Sequence, residues 1–188
     1  MVDPARPATE GTTVRGDADE SPPRGLGAGL GVTVLAIGLA VAFAAGLESP
    51  VETAVHVVAA QAQPPQSGAP PTTPGGRPLA GAAGVAFPDL APRLGWRPVG
   101  RRTDVVDGRR VSTLQYGRQG RRLAYSIVDG VPLPPPPGAV RVPSRGPAAV
   151  QFDTGGRTAV MRARGGHSVV VSAAGVPRTA VVRAARAG

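Results

Sequence analysis

The chain has 188 residues, 21 basic against 12 acidic, and a formal net charge of +9 with no cysteine. That excludes disulfides, thiolate metal sites, a cysteine nucleophile and a lipoprotein attachment cysteine. Every basic residue is arginine, and with 27 Gly and 22 Pro this is the composition of a very GC-rich genome, so the arginine count alone assigns no function.

Residues 1–24 hold Arg6, Arg15 and Arg24 among five acids and almost nothing apolar, which predicts a disordered polar tail. Gly25 to Leu47 then run GLGAGLGVTVLAIGLAVAFAAGL, uncharged, with Thr33 the one weakly polar side chain. As a helix this run would rise roughly 34 Å, against a hydrocarbon core of about 30 Å. It reads as a single transmembrane helix. Arg15 and Arg24 precede it, whereas Glu48 and Glu52 follow and no further arginine comes before Arg77. The positive-inside rule then places the N-terminus in the cytoplasm and the rest outside, since long domains cross largely regardless of charge. A cleaved signal peptide is the alternative, because Ala42-Phe43-Ala44 is an A-x-A pattern at the end of the run. The Gly27–Gly31 spacing also suits close helix pairing, although a segment so rich in glycine produces it by chance.

Beyond the run, Ser49-Pro50-Val51-Glu52 reads as a helix start, with a short post-membrane helix to about Gln63. Val51, Ala54, Val55 and Val58 are its expected apolar stripe, and His56 is expected to be solvated. Residues 64–84, rich in Pro, Gly, Gln, Ser and Thr, predict a loose linker.

From about Val85 a folded domain is expected to continue to Gly188. A short helix is predicted from Phe87 to about Leu94. Strands follow at about 96–106, 110–116 and 122–128, with turns at Asp107-Gly108 and 117–120. Ser112, Leu114 and Tyr116 share one face, as do Leu123, Tyr125 and Ile127. The Pro-rich loop 131–138 interrupts the run. Strands at about 148–153, 158–163 and 168–172 and a helix from about Val176, turning Ala180, Val181, Ala184 and Ala185 inward, complete it. The expected fold class is α+β: an antiparallel sheet of five to six strands with short helices on one face.

The residues that carry chemistry are sparse. His56 and His167 lie on opposite sides of the linker and are too few for a zinc site, so no metal or cofactor is expected. Ser126, His167 and Asp153 make a triad on paper, but no nucleophile elbow accompanies them. No phosphate-binding glycine motif is present. Asp104 and Asp107 read as turn formers, His167 as a turn or packing residue, and Trp96 as a core anchor. The chain is therefore expected not to be an enzyme. Residues 64–188 hold 18 arginines against five aspartates, a net +13. A basic exported domain is drawn to anionic lipids or acidic envelope polymers. Arg109, Arg110, Arg118, Arg121 and Arg122, around the first two hairpin turns, are the candidate contacts. Nucleic acid is not expected, because the topology places these arginines outside the cytoplasm.

Phe87-Pro88-Asp89-Leu90, Leu94 to Thr103 (LGWRPVGRRT), Asp107 to Val111 (DGRRV) and Leu114-Gln115-Tyr116 carry a resemblance. Together with the helix Val51–Gln61 and its His56, they resemble the extracytoplasmic, sensor-side domain of transmembrane anti-sigma factors. There a G-F/W-x-L-V-G-G-R run leads into a hairpin of the type D-G-R-x-V-A-x-L-x-Y. The similarity is good over about Val51–Val128 and loose beyond. It implies a non-enzymatic sensor or regulatory module, with another membrane or regulatory protein as partner. The zinc-type sigma-binding domain of that family, marked by His-x3-Cys-x2-Cys, has no counterpart in residues 1–24, so the resemblance implies a regulatory arm that is absent or supplied by a partner.

Overall fold

A computed structural model of the chain describes residues 51–68, 79–143 and 146–188. The apolar run 25–47, the tail before it and the helix-start residues Ser49 and Pro50 lie outside the described residues, and so does the middle of the expected linker. Among the described residues no helix is long and apolar enough to cross a membrane.

The order is α1 (Thr53–Gln61), β1 (Ser67–Gly68), β2 (Leu79–Ala82), β3 (Val85–Phe87), α2 (Ala91–Leu94) and β4 (Arg97–Val106). β5 (Arg109–Arg118), β6 (Arg121–Val128), β7 (Val140–Val142), β8 (Ala149–Thr154), β9 (Arg157–Arg164), β10 (His167–Ala173) and α3 (Arg178–Arg186) follow. The class is α+β, as expected, but the main sheet has eight strands in the order β1-β4-β5-β6-β10-β9-β8-β7 rather than five or six. Every pairing in it is antiparallel. The extra strands are the short edges β1 and β7, cut from Pro- and Gly-rich stretches that carry too few residues to show alternation. β2 and β3 form a separate hairpin.

Two-residue turns with positive φ join β2–β3, β4–β5, β5–β6, β8–β9 and β9–β10, the geometry that matches strand twist. Asp107, at φ +48°, is one of the non-glycine residues held there.

The sheet is buried on both faces, not on one. On the first face Leu114, Tyr116, Leu123, Tyr125, Ile127, Val160, Val169 and Val171 meet Phe87, Leu90, Trp96 and the inner side of α3, namely Val181, Ala184 and Ala185. Trp96 is a core anchor, as expected. Phe87 meets Tyr125 edge-on at 5.9 Å. The second face carries Val111, Val128, Phe152, Ala159, Met161 and Val170, covered by Ala54, Val57 and Val58 of α1 and by Leu133. The buried residues of α1 are thus Thr53, Ala54, Val57, Val58 and Gln61, so the helix is turned from the expected stripe and Val51 and Val55 are only half-buried.

The expected linker is partly structured. Gln66 N donates to Arg101 O at 2.8 Å, Thr103 N to Gln66 Oε1 at 2.9 Å, and Arg102 Nη1 to Pro64 O at 2.7 Å. Gly100 makes room for this strap, since a Cβ there would lie 2.4 Å from that of Pro65. The Pro-rich loop is folded too: Leu133 is buried and its N–H donates to Ser168 Oγ at 2.7 Å.

Candidate functional site

Two places gather polar side chains: the seat of α1 on the second face, and a cleft at one end of the first.

Strand alternation puts Thr113 and Gln115 of β5, Ser126 of β6, and Ser168 and Ser172 of β10 on the second face, all of them buried. Gln61, the last residue of α1, is 3 % exposed and enters this polar row. Its Nε2 donates to Ser126 Oγ at 2.7 Å and to Val170 O at 2.9 Å, and its Oε1 accepts from the Ser172 hydroxyl. Thr113 Oγ1 shares a 2.7 Å hydrogen bond with Ser126 Oγ. Arg157 Nε donates to Ser172 Oγ at 3.0 Å, and burial pulls the pKa of this guanidinium down. Gln115 Nε2 donates to Gln63 O at 2.7 Å, while its buried Oε1 has no partner among the described residues.

At the start of α1, His56 Nδ1 lies 3.0 Å from Asp107 Oδ2 in the β4–β5 turn. His56 is therefore not the solvated residue expected, although its side chain is 40 % exposed. Asp107 does form a turn, as expected. Asp104 does not: it sits within β4, where Arg102 Nε donates to its Oδ2 at 2.7 Å and raises the Arg102 pKa.

The cleft, about 290 Å³, lies between the β2–β3 hairpin and the β4–β5 end of the sheet. Ala82 and Phe87 roof it, Arg101, Thr103, Arg110 and Ser112 line its floor, and Asp129 closes one side. Asp129 N donates to Arg110 O at 2.9 Å, which places the two residues opposite each other. Among the described residues Asp129 Oδ1, which is buried, has no hydrogen-bond partner.

The five candidate arginines do not form one cluster. Arg118 pairs with Arg121, and Gly117 with Arg122, at the β5–β6 turn, where all three arginines line a shallow cleft of about 350 Å³ with Val99. Arg109 and Arg110 stand at the opposite end of β5, about 26 Å away at the rise of a strand. Arg109 Nη1 donates to Val131 O at 2.6 Å and Arg118 Nη1 to Leu94 O at 2.8 Å.

Ser126, His167 and Asp153 are not brought together. Ser126 is in the α1 seat. His167 opens β10 opposite Arg164, and Asp153 sits at the other end of β8, accepting from Thr158 Oγ1 at 2.7 Å. Among the described residues no group of three or more His, Cys, Asp or Glu is placed to hold a metal ion.

Sequence reasoning missed Gln61, Thr113, Gln115, Ser126 and Ser172 as a set, and it missed Asp129. The alternation that identifies the strands also places those polar residues on one face, but nothing local says that a helix 52 residues before Thr113 will cover them. Comparison of the chain with protein-family models, with curated proteins and with solved structures found no match.

Proposed function

We propose that the chain is a single-pass, membrane-anchored, anti-sigma-factor-like envelope protein whose exported domain is a non-enzymatic sensor or binding module. The observation that carries this reading is the seat of α1. The helix begins six residues after Leu47, the end of the apolar run, and Gln61 and His56 tie it to two strands and a turn of the sheet. A force arriving at the start of α1 would reach the sheet through a short, hydrogen-bonded element. The basic domain beyond it suits ligands of the outer membrane face or envelope.

Topology is the first test. Alkaline phosphatase fused after Gly188 is expected to be active and a cytoplasm-only fluorescent reporter dark; the reverse pattern would remove the proposal. Co-purification of the full chain with a sigma factor, or with a protein that itself holds one, tests the regulatory half. Arg118, Arg121 and Arg122 on one hairpin favour a second reading: a basic structural protein holding anionic envelope polymers or lipids.

A further inference from the structure

The cleft under the β2–β3 hairpin joins a cationic side chain and a buried carboxylate oxygen. Arg110 brings a positive charge to one side. Beside it at the end of the neighbouring strand, the Asp129 Oδ1 is buried and, among the described residues, accepts no hydrogen bond. Among the described residues Asp129 and Arg110 form no ion pair, although their backbones are bonded at 2.9 Å. A buried carboxylate oxygen is stabilised by a donor, and the cleft leaves that donor to come from outside. The hydroxyls of Thr103 and Ser112 add groups that both donate and accept.

These groups select a ligand by chemistry. A bare phosphate satisfies Arg110 but is repelled by Asp129. A neutral polyol satisfies Asp129 but leaves the cationic wall unmatched. A molecule with an anion at one end and a hydroxyl one or two carbons away meets both. At about 290 Å³ the cleft lies at the small end of ligand sites, which start near ~300 Å³, so it takes one small unit. We infer that this cleft binds a hydroxylated phosphate ester, of which glycerol phosphate is the simplest, with Arg110 on the phosphate and Asp129 accepting from the hydroxyl. The inference gives the binding module proposed above a ligand class. It rests on that reading only for the side of the membrane on which the ligand is met.

The test is isothermal titration of the full-length protein in maltoside micelles with sn-glycerol 3-phosphate, inorganic phosphate and glycerol. Glycerol 3-phosphate is expected to bind at least about tenfold more tightly than either fragment. Arg110→Gln and Asp129→Asn are each expected to weaken it by about tenfold. Arg109→Gln, whose guanidinium holds Val131 O, is expected to bind as the parent does. Thr103→Trp, an exposed position that would fill the cleft, is the second variant should Asp129→Asn fail to fold by circular dichroism. Nanodiscs containing phosphatidylglycerol separate the sources. Occupancy of the cleft by that lipid, competed by free glycerol 3-phosphate, marks a headgroup site; binding of the free ester alone marks a soluble or polymeric source. Equal affinity for inorganic phosphate, tighter binding by Asp129→Asn, or no heat with glycerol 3-phosphate would overturn the inference. A cytoplasmic domain with a working cleft would sink the topology and leave this site standing.

Discussion

Gln61 reaches Ser126 across 65 residues of chain, its Nε2 donating to the serine Oγ at 2.7 Å inside the buried seat of α1. One side-chain amide also meets Val170 O and Ser172, so it completes a polar row in which Ser126 also meets Thr113 and Ser172 also meets Arg157. Gln61→Leu keeps the bulk and removes both ends of this network. It is expected to cost about 1–3 kcal/mol, because the Ser126, Ser172 and Val170 groups stay buried. Thermal unfolding of the full-length protein in micelles measures it. An unchanged melting temperature would show that α1 is seated by Val57 and Val58 alone.

Asp107 has two roles that substitutions separate. It holds a left-handed backbone at φ +48° and it meets His56. Asp107→Asn keeps the turn, because asparagine tolerates this conformation, and loses only a partly exposed pair, at a cost of about 0–1 kcal/mol. Asp107→Val loses both and is expected to cost about 1–3 kcal/mol. Equal losses for the two variants, read by denaturant titration, would make the contact with His56 rather than the turn the dominant role.

Tyr116 is buried, and its hydroxyl donates to Pro88 O at 2.6 Å. Burial, with smaller contributions from Tyr125 and Asp89, pushes its pKa far up. The folded-state value is the raised one, so this stabilisation is complete below the unfolded tyrosine value of about 10 and fades as pH rises above it. Unfolding free energy is expected to fall above about pH 10. Tyr116→Phe is expected to flatten that fall while costing about 1–2 kcal/mol at neutral pH for the orphaned carbonyl. The ultraviolet phenolate signal, followed as the protein unfolds in alkali, reports whether Tyr116 ionises only on unfolding.

The hairpin arginines predict a salt-sensitive surface. Protein held in neutral-lipid nanodiscs is expected to float with phosphatidylserine vesicles at low salt and not with phosphatidylcholine vesicles. Raising the salt should release it, because exposed charges act over only about 8 Å at physiological ionic strength. Changing Arg118, Arg121 and Arg122 together to Gln should abolish the binding, whereas Arg109→Gln, at the far end of β5, should not. Equal flotation with both vesicle types would mark these arginines as ordinary surface.

Local chemistry carries its information in short windows, and those windows were legible. Asp107-Gly108, Gly155-Gly156 and Gly165-Gly166 announce tight turns. The alternation of Leu114 and Tyr116 with Thr113 and Gln115 identifies a strand, and Val181, Ala184 and Ala185 identify the inner side of a helix. Six of the eight main-sheet strands and the α+β class follow from such signals. The edge strands Ser67–Gly68 and Val140–Val142 were not legible, since two or three residues cannot show a period and their order comes from the neighbouring strand. Which face each helix covers was not legible either. Alternation says that Thr113, Ser126 and Ser172 point the same way, but only the packed chain decides that Gln61 meets them. The same holds for Arg110 and Asp129, 19 residues apart, and for the parting of Arg109 and Arg110 from Arg118, Arg121 and Arg122. Side-chain chemistry is a property of each residue, whereas proximity depends on strand register and on the direction in which the chain returns. The arginines were therefore visible as a charge, and only the tertiary structure set Arg118, Arg121 and Arg122 on one exposed hairpin, Arg110 in the floor of a cleft and Arg109 against Val131 O.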